Sequence, residues 1–467
     1  KELLSWYERY DCIEQLHQFI VRDGAASAKE LNDIREEAKA SVREQQKAAW
    51  AAYREDIDVD VKTAAQKMTQ AAREQSNASA VEDLANQLLK VSNPIRKDIF
   101  QTFSKARRML SDTPQVLDLD VWMAALRSKC ETMYSEGLYS AASDSVFEVS
   151  PVSIQYDANP EMVDGRIILR ENWDYQLSRR PELMIFGEDV GKIGGVNQTY
   201  EGLQEKHGEL RIADTGIREA TIVGQGIGLA MRGLRPVAEI QYLDYLYYAL
   251  QIMRDDLSTV RYRSAGGQKA PLIISTRGHR LEGVWHAGSP MGAIIHSVRG
   301  MHVCVPRNMT QAAGMYNTLL ECGEPALVVE CLNGYRSKEP MPSNIGEFRI
   351  PLGEAEIMRQ GKDLTVVSYG STLHFCVQAA IMDADMGVDV EVIDVRTLLP
   401  FDLSGLISLS VQKTNKVIFV DEDVPGGATG FMLNEVLNRQ NIFRYLDAAP
   451  RTLASKPHLP AYGTDGD

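Results

Sequence analysis

Charged and small residues dominate the first part of the chain, up to about residue 140. The stretch from Ser27 to about Asp56 contains neither Gly nor Pro, and its first residues, Ser27-Ala-Lys-Glu30, have the form of a capping box. In a capping box a serine begins a helix and a glutamate three residues later reaches back to it. The pattern predicts a long surface helix here. Further helices are predicted over Val61–Glu74, Ala80–Val91 and Pro94–Met109.

The apolar stripes of these predicted helices are narrow. A helix with a narrow apolar stripe has little to bury by itself, so we expect these helices to pack against another body. Residues 1–150 are therefore predicted to be a helical arm, either a linker or a docking segment.

From about Ile167 onward, short apolar runs alternate with helical stretches, and glycines become frequent. Strands that are apolar on both faces and alternate with helices indicate a parallel sheet covered by helices, which is the α/β class. We expect one such domain over residues 151–345 and a smaller one over 346–467, with a junction in the Pro-rich stretch Pro340–Pro351. The predicted strands are Leu183–Phe186, Pro236–Ile240, Leu272–Ser275, Val303–Val305, Ala326–Val329, Leu364–Ser368, Val388–Ile393 and Lys416–Val420.

Composition and charge argue against several classes of protein. Lys and Arg number 50 against 64 Asp and Glu, a net charge of −14, which is unlike a dedicated nucleic-acid binder or a polybasic membrane-surface protein. The 6 cysteines form no Cys-x-x-Cys pair, so neither a disulfide scaffold nor a zinc ribbon is indicated. No apolar run has the length of a membrane span, and the common phosphate-loop and metal-ligand motifs are absent. We expect a cytoplasmic protein with neither nucleic acid nor membrane as a partner.

Three segments carry candidate chemistry, and each follows a predicted strand. Glu219 opens a Gly- and Ala-rich helix, Tyr245 lies in an aromatic cluster, and His279 and His286 share a Gly-rich loop although the chain has only 8 histidines. Each also has an ordinary explanation: a glutamate that favours a helix start, aromatic packing, and structural histidines. Because the carboxyl ends of parallel strands bind ligands in open α/β sheets, we expect the three segments to meet at one edge.

These segments resemble, in order and spacing, the beta subunit of the thiamine-dependent decarboxylating component of 2-oxo acid dehydrogenase complexes. That resemblance implies a transketolase-like pyrimidine-binding domain followed by a transketolase C-terminal domain. Residues 11–55 also resemble the helical tail of the family's alpha subunit, which suggests the latter part of a fused alpha–beta polypeptide. The motifs that carry the resemblance are Phe186–Gly195, Asp214–Glu219, Ala238–Tyr245, Trp285–Pro290, Glu391–Asp402 and Asp421–Gly427.

The resemblance implies a role for four residues. Glu219 matches the carboxylate that hydrogen-bonds the aminopyrimidine ring of thiamine diphosphate and so helps the cofactor form its carbon nucleophile. Tyr245 matches the aromatic residue against the pyrimidine face, and Ile217 the apolar residue whose backbone completes the clamp. His286 matches the histidine that assists acyl transfer to a lipoyl group, whereas His279 has no clear counterpart.

The implied activity is oxidative decarboxylation of pyruvate or a branched-chain 2-oxo acid, with transfer of the acyl group to the lipoyl group of an acyltransferase component. The family's Gly-Asp-Gly…Asn motif, which holds Mg²⁺ and the diphosphate, is missing here, and the only Asp-Gly-Asp is Asp465–Asp467. The chain is therefore expected to hold the pyrimidine half of the cofactor, with no metal ligands of its own. An alpha-type domain would supply the Mg²⁺ half, and a homodimer is expected.

Two alternatives stay open at this stage. One is another transketolase-like enzyme, such as a transketolase or a deoxyxylulose phosphate synthase. The other is a non-catalytic module that dimerises and docks the acyltransferase component. Because only half of the cofactor site is recognised, we expect the isolated chain to be inactive.

Overall fold

The computed structural model describes residues 2–278 and 288–457, and the chain divides into two compact units, Lys1–Tyr134 and Ser135–Asp467. The first unit is helical. The predicted domain limits near residues 150 and 345 stay predictions. The helices of the first unit are α1 (Glu2–Tyr10), α2 (Cys12–Asp23), α3 (Ala28–Ala72), α4 (Ala78–Leu89), α5 (Arg96–Arg107) and α6 (Pro114–Ser135).

The predicted capping box at the start of α3 is confirmed. The Ser27 hydroxyl accepts a hydrogen bond from the Glu30 amide at 3.2 Å, and the Glu30 carboxylate accepts one from the Ser27 amide at 2.8 Å. The expected break before Val61 was wrong, because α3 runs on for 45 residues to Ala72. Nothing between Asp56 and Val61 is a helix breaker, so the helix continues there.

The second half of α3 packs with α4, α5 and α6 around a core of its own, whereas α1, α2 and the first half of α3 bury no side chain. The expectation that all these helices pack against another body was therefore wrong from Ile57 onward. Small alanines fill much of this core and make the apolar stripe look narrow in the sequence. Asp60 and Arg96 join α3 to α5 at 3.1 Å. Core residues include Ala64, Met68, Ala72, Val81, Leu88, Ile99, Leu119 and Met123.

The described part of the second unit contains two mostly parallel sheets and a small antiparallel pair, β1 with β8. The large sheet has the strand order β12-β6-β7-β5-β4-β2-β3, and only β12 runs antiparallel to its neighbour. The smaller sheet has the order β14-β13-β10-β11-β9, with β9 antiparallel. The strands are β1 (Met162–Asp164), β2 (Leu183–Gly187), β3 (Ile212–Asp214), β4 (Arg235–Glu239), β5 (Ile273–Gly278), β6 (His302–Cys304), β7 (Ala326–Cys331), β8 (Lys338–Pro340), β9 (Glu356–Arg359), β10 (Leu364–Ser368), β11 (Val390–Asp394), β12 (Thr397–Leu399), β13 (Val417–Val420) and β14 (Arg451–Leu453).

Helices cover the large sheet, and separate apolar clusters fill its two sides, as expected for strands that are apolar on both faces. The helix expected to begin at Glu219 is confirmed as α9, whereas residues 245–262 form a series of short helical turns. The helices are α7 (Gly165–Arg179), α8 (Leu203–His207), α9 (Glu219–Met231), α10 (Leu250–Ile252), α11 (Val260–Arg263), α12 (Met291–Ser297), α13 (Met309–Glu321), α14 (Gly370–Asp385), α15 (Leu406–Thr414) and α16 (Ala428–Asn434).

The two sheets are linked by β12, which follows β11 in the chain but pairs with β6 of the large sheet. Arg307 reinforces this link, since its guanidinium lies 2.8 Å from Asp394 and 2.7 Å from Glu356. The α/β class expected from the sequence is confirmed, with a large sheet and a smaller sheet that are both mostly parallel.

Candidate active site

Four neighbouring parallel strands, β5, β4, β2 and β3, end at one edge of the large sheet. Polar residues lie at or just after the ends of β2, β3 and β4 at this edge, whereas most residues within the four strands are buried. The amide of Thr215 donates to the carbonyl of Gly187 at 2.8 Å, so the ends of β3 and β2 are joined directly. The carboxyl edge is thus a rigid platform of the kind that binds ligands in α/β folds.

The Gly-rich loop after β2 is folded around Asp214. The Asp214 carboxylate accepts hydrogen bonds from the amides of Gly191 at 2.6 Å and Lys192 at 3.2 Å. Gly194 adopts a φ of +84°, and a Cβ there would lie 2.5 Å from the backbone of Glu201, so a side chain would not fit. These contacts hold Glu188 and Asp189, the first residues of the loop, beside the strand ends.

Glu219 is the first residue of α9 and is only 7% exposed. The first turn of a helix, at the positive end of the helix dipole, is a position where acidic side chains stabilise the helix. Gly226, two turns further along α9, lets the helix pack closely against Leu272. A Cβ atom at position 226 would lie only 2.7 Å from the Leu272 side chain. The sequence therefore places a nearly buried carboxylate at the mouth of a closely packed helix.

Tyr245 lies in a 3-10 helix, Leu243–Tyr248, that follows β4, and it is half-buried. Its ring meets the Tyr242 ring edge-on, with 5.7 Å between the centroids. Burial raises the pKa of Tyr245, and electrostatic repulsion from Tyr242, Glu188 and Glu219 raises it further. Tyr245 and Glu219, predicted from separate segments, therefore share one electrostatic environment.

Glu188 is a further acidic residue of this edge, and no role for it was predicted from the sequence. Its pKa is raised by burial first, and then by the negative charges of Glu219, Asp189 and Glu239. The sequence feature that could have indicated Glu188 is its position just after the apolar strand Leu183–Phe186. The edge is rich in negative charge and favours ligands that carry positive charge or donate protons.

A buried ion pair lies at the same strand ends. Arg277 of β5 and Glu239 of β4 are at most 1% exposed and lie 2.8 Å apart. Arg277 also donates to the hydroxyl of Tyr335 at 3.1 Å, and that hydroxyl in turn donates to Glu330. This network is not predictable from the sequence, because buried charged partners on different strands leave no local pattern.

The structure says less about the other residues predicted for the site, Ile217, His279 and His286. Ile217 is 83% exposed, in the turn two residues before Glu219. His279 and His286 lie outside the described residues. Within residues 2–278 and 288–457 no group of three or more His, Cys, Asp or Glu side chains is arranged to hold a metal ion. In the same ranges no helix is long and apolar enough to cross a membrane.

Two family models match the second unit of the chain. Residues 162–337 match the transketolase pyrimidine-binding domain, and residues 353–465 match the transketolase C-terminal domain. The 2-oxoisovalerate dehydrogenase subunit beta of Bacillus subtilis is 32% identical over 288 residues, which is 61% of this chain and 86% of that protein. The chain belongs to the family of 2-oxo acid dehydrogenase beta subunits, within the transketolase-like superfamily.

Other members of the beta-subunit family are equally similar. The pyruvate dehydrogenase E1 component subunit beta of Staphylococcus epidermidis is 36% identical over 288 residues, 61% of this chain and 87% of that protein. A solved structure described as a split gene transketolase, inactive beta4 tetramer, has the same fold, with a TM-score of 0.51 and 21% identity over 63% of this chain and 90% of that one. The family depends on thiamine diphosphate, and its pyrimidine-binding domain is present here.

Proposed function

We propose that this chain forms the pyrimidine-binding half of an enzyme that decarboxylates a 2-oxo acid and transfers the acyl group to a lipoyl group. The substrate is pyruvate or a branched-chain 2-oxo acid, the two substrate classes named among the relatives. The observation that carries the proposal is the nearly buried Glu219 carboxylate at the start of α9, in the same electrostatic environment as Tyr245.

This edge suits an aminopyrimidine ring on two physical grounds. A ring nitrogen that is protonated by, or shares a proton with, a carboxylate gains a charge-assisted hydrogen bond, which is stronger than a neutral one. The aromatic face of Tyr245 offers a surface against which a planar ring can stack. The additional carboxylates, Glu188 and Asp189, increase the preference of the edge for a cationic ring.

The residues of this chain are assigned the following tasks. Glu219 holds a proton at the pyrimidine ring nitrogen, Tyr245 packs against the ring face, and the backbone near Ile217 completes the clamp. When bound, thiamine diphosphate supplies the carbon nucleophile and the electron sink that decarboxylation requires. His286 is assigned to acyl transfer on the resemblance of its motif alone.

The diphosphate and Mg²⁺ are assigned to an alpha-type domain, either in the same polypeptide or in a partner chain. The motif for that half of the site was not found in the sequence, which supports this division. A lipoyl acyltransferase component is the proposed acceptor, and a homodimer the proposed assembly. In isolation the chain would then be a dimerising and docking module without turnover.

The homodimer has support from α9. Gly224 and Gly228 lie four residues apart on the exposed side of α9. If either glycine carried a Cβ atom, no atom of another part of the described chain would lie closer to it than 4.0 Å. Glycines at this spacing leave room for the backbone of a second helix to approach. We therefore assign this side of α9 to the contact with a second copy.

The test uses the full-length protein assembled with its alpha-type half, thiamine diphosphate and Mg²⁺, and measures decarboxylation of pyruvate and branched-chain 2-oxo acids. Glu219→Gln keeps the shape of the side chain but cannot hold the proton, and we expect activity to fall at least roughly 10²-fold, as for loss of a general acid–base group. Glu205→Gln, on the exposed side of α8, is the matched control and should retain full activity. Undiminished decarboxylation by the Glu219→Gln enzyme would refute the proposal.

A further inference from the structure

Arg277 directs its hydrogen bonds to the ends of neighbouring strands. The side chain is 1% exposed. One terminal nitrogen lies 2.8 Å from the Glu239 carboxylate at the end of β4, and the other donates to the carbonyl of Gln241 at 3.0 Å. The Nε–H donates to the Tyr335 hydroxyl at 3.1 Å. The guanidinium therefore fixes both the side chain that ends β4 and the backbone just beyond it.

Gln241 connects Arg277 to the loop after β2 and to the segment that carries Tyr245. Its side-chain amide donates to the Asp189 carboxylate at 2.5 Å, in the loop after β2 and directly beside Glu188. Along the chain, Gln241 immediately precedes Tyr242, whose carbonyl accepts from the amide of Tyr245 at 3.0 Å. A continuous series of contacts thus runs from Arg277 through Gln241 to the segments that carry Tyr245 and Glu188.

We propose that Arg277 is a positioning residue, which places Tyr245 and the Glu188–Asp189 segment for binding of the cofactor's pyrimidine by holding the backbone of Gln241. Arg277 itself does not reach the ligand in this scheme. The inference rests on the proposed function, and it adds a determinant of affinity that lies behind the contact surface.

The geometry requires the shape of an arginine as well as its charge. Three separate nitrogens serve the Glu239 carboxylate, the Gln241 carbonyl and the Tyr335 hydroxyl. A lysine carries one point charge on a flexible stem, and it cannot reproduce a planar fork of donors. Arg277→Lys therefore keeps the positive charge beside Glu239 but loses part of the hold on Gln241.

The experiment measures the dissociation constant of thiamine diphosphate in the assembled full-length protein, together with the denaturant midpoint of each variant. Loss of a charge-assisted hydrogen bond should raise the dissociation constant of Arg277→Lys roughly tenfold. Arg307→Lys is the matched control, because Arg307, with a side chain 12% exposed, pairs with the buried Asp394 and with Glu356 in the same unit. It should lower the denaturant midpoint while changing the dissociation constant less than about twofold.

Gln241→Ala provides a second variant in which the buried ion pair stays whole. It should weaken cofactor binding by itself, and its combination with Arg277→Lys should weaken binding less than the product of the two single effects. The inference is overturned if either single variant binds thiamine diphosphate as tightly as wild type, if Arg307→Lys loses as much affinity as Arg277→Lys, or if the two effects multiply independently. A wild-type assembly that binds no thiamine diphosphate would instead overturn the proposed function, and this inference with it.

Discussion

Glu188 and Glu219 repel one another at the carboxyl edge of the large sheet. Glu188 follows β2 and Glu219 begins α9, and after burial itself the charge of Glu219 is the largest cause of the raised pKa of Glu188. A fold that places two carboxylates together in this way sacrifices stability for a strongly acidic surface.

The first prediction concerns the stability cost of Glu188. A carboxyl whose pKa is raised in the folded protein binds its proton more tightly there than in the unfolded chain, so stability falls as the pH rises through the two pKa values. Glu188→Gln should therefore raise the melting temperature at pH 8 and leave it unchanged near pH 4. Since the side chain is only partly buried, the gain in free energy of unfolding should stay below about 1 kcal/mol.

Thermal denaturation at the two pH values checks this prediction. Glu209→Gln serves as the control, because Glu209 is exposed after α8, and any effect there should be the same at both pH values. If the difference in melting temperature between wild type and Glu188→Gln were the same at both pH values, the expected stability cost of Glu188 would be contradicted.

The second prediction concerns the exposed glycines of α9. If a second copy approaches along Gly224 and Gly228, then Gly228→Leu should prevent the approach and yield a smaller assembly. Mass measurement in solution by light scattering would detect the change. Gln412→Leu adds the same side chain to an exposed position of α15 and should leave the mass unaltered. A Gly228→Leu protein with the wild-type mass would exclude this side of α9 as the contact.

The third prediction concerns Glu324, which is 2% exposed. Its carboxylate accepts hydrogen bonds from the amides of Ser140 at 2.7 Å and Val146 at 2.8 Å, and lies 3.2 Å from His302. Glu324→Ala leaves these buried groups without an acceptor, so the free energy of unfolding should fall by about 3–5 kcal/mol. Chemical denaturation followed by circular dichroism measures the loss.

Glu321, three residues earlier, provides the comparison for Glu324. It is paired with Arg180 at 2.6 Å, but its side chain is 39% exposed. Solvent screens such a pair, so Glu321→Ala should cost less than about 1 kcal/mol. Equal losses in the two variants would show that burial does not determine the contribution of Glu324.

The fourth prediction concerns acid sensitivity. Burial alone would raise the pKa of Asp144, but hydrogen bonds from Ser140 and Lys269 and the charges of Lys269 and Arg261 lower it to about 2. A lowered carboxyl pKa stabilises the fold above the unfolded value, and that stabilisation is lost as the pH falls through the folded value. Unfolding measured between about pH 5 and pH 2 should therefore show a shallower decline for Asp144→Asn than for wild type.

Lys269→Met offers an independent check on Asp144. Removing the ammonium 3.0 Å from the carboxylate should raise the Asp144 pKa and move the loss of stability to higher pH. A pH profile that matches wild type in both variants would refute the assigned cause.

The sequence by itself determined the class of fold and the family, and it indicated Glu219 and Tyr245 as candidate site residues. Apolar strands alternating with helices specified the covered parallel sheet, and the motifs around Glu219 and Tyr245 specified the family, because these signals are local in the chain. The capping box at Ser27 likewise specified where α3 begins. Short strands such as β3 and β12 escaped prediction, since three residues that pair with a distant strand carry little local pattern.

Only the tertiary structure decided how the edge is built. It brought Glu188 toward Glu219, placed Arg277 against Glu239 and Gln241, and packed the helices after Ile57 on one another. Each of these contacts joins residues far apart in the chain, and its free energy depends on burial and on charges supplied by other strands. The local pattern of apolar and polar residues does not show which distant residues will be in contact. The contacts at this edge could therefore be identified only from the tertiary structure.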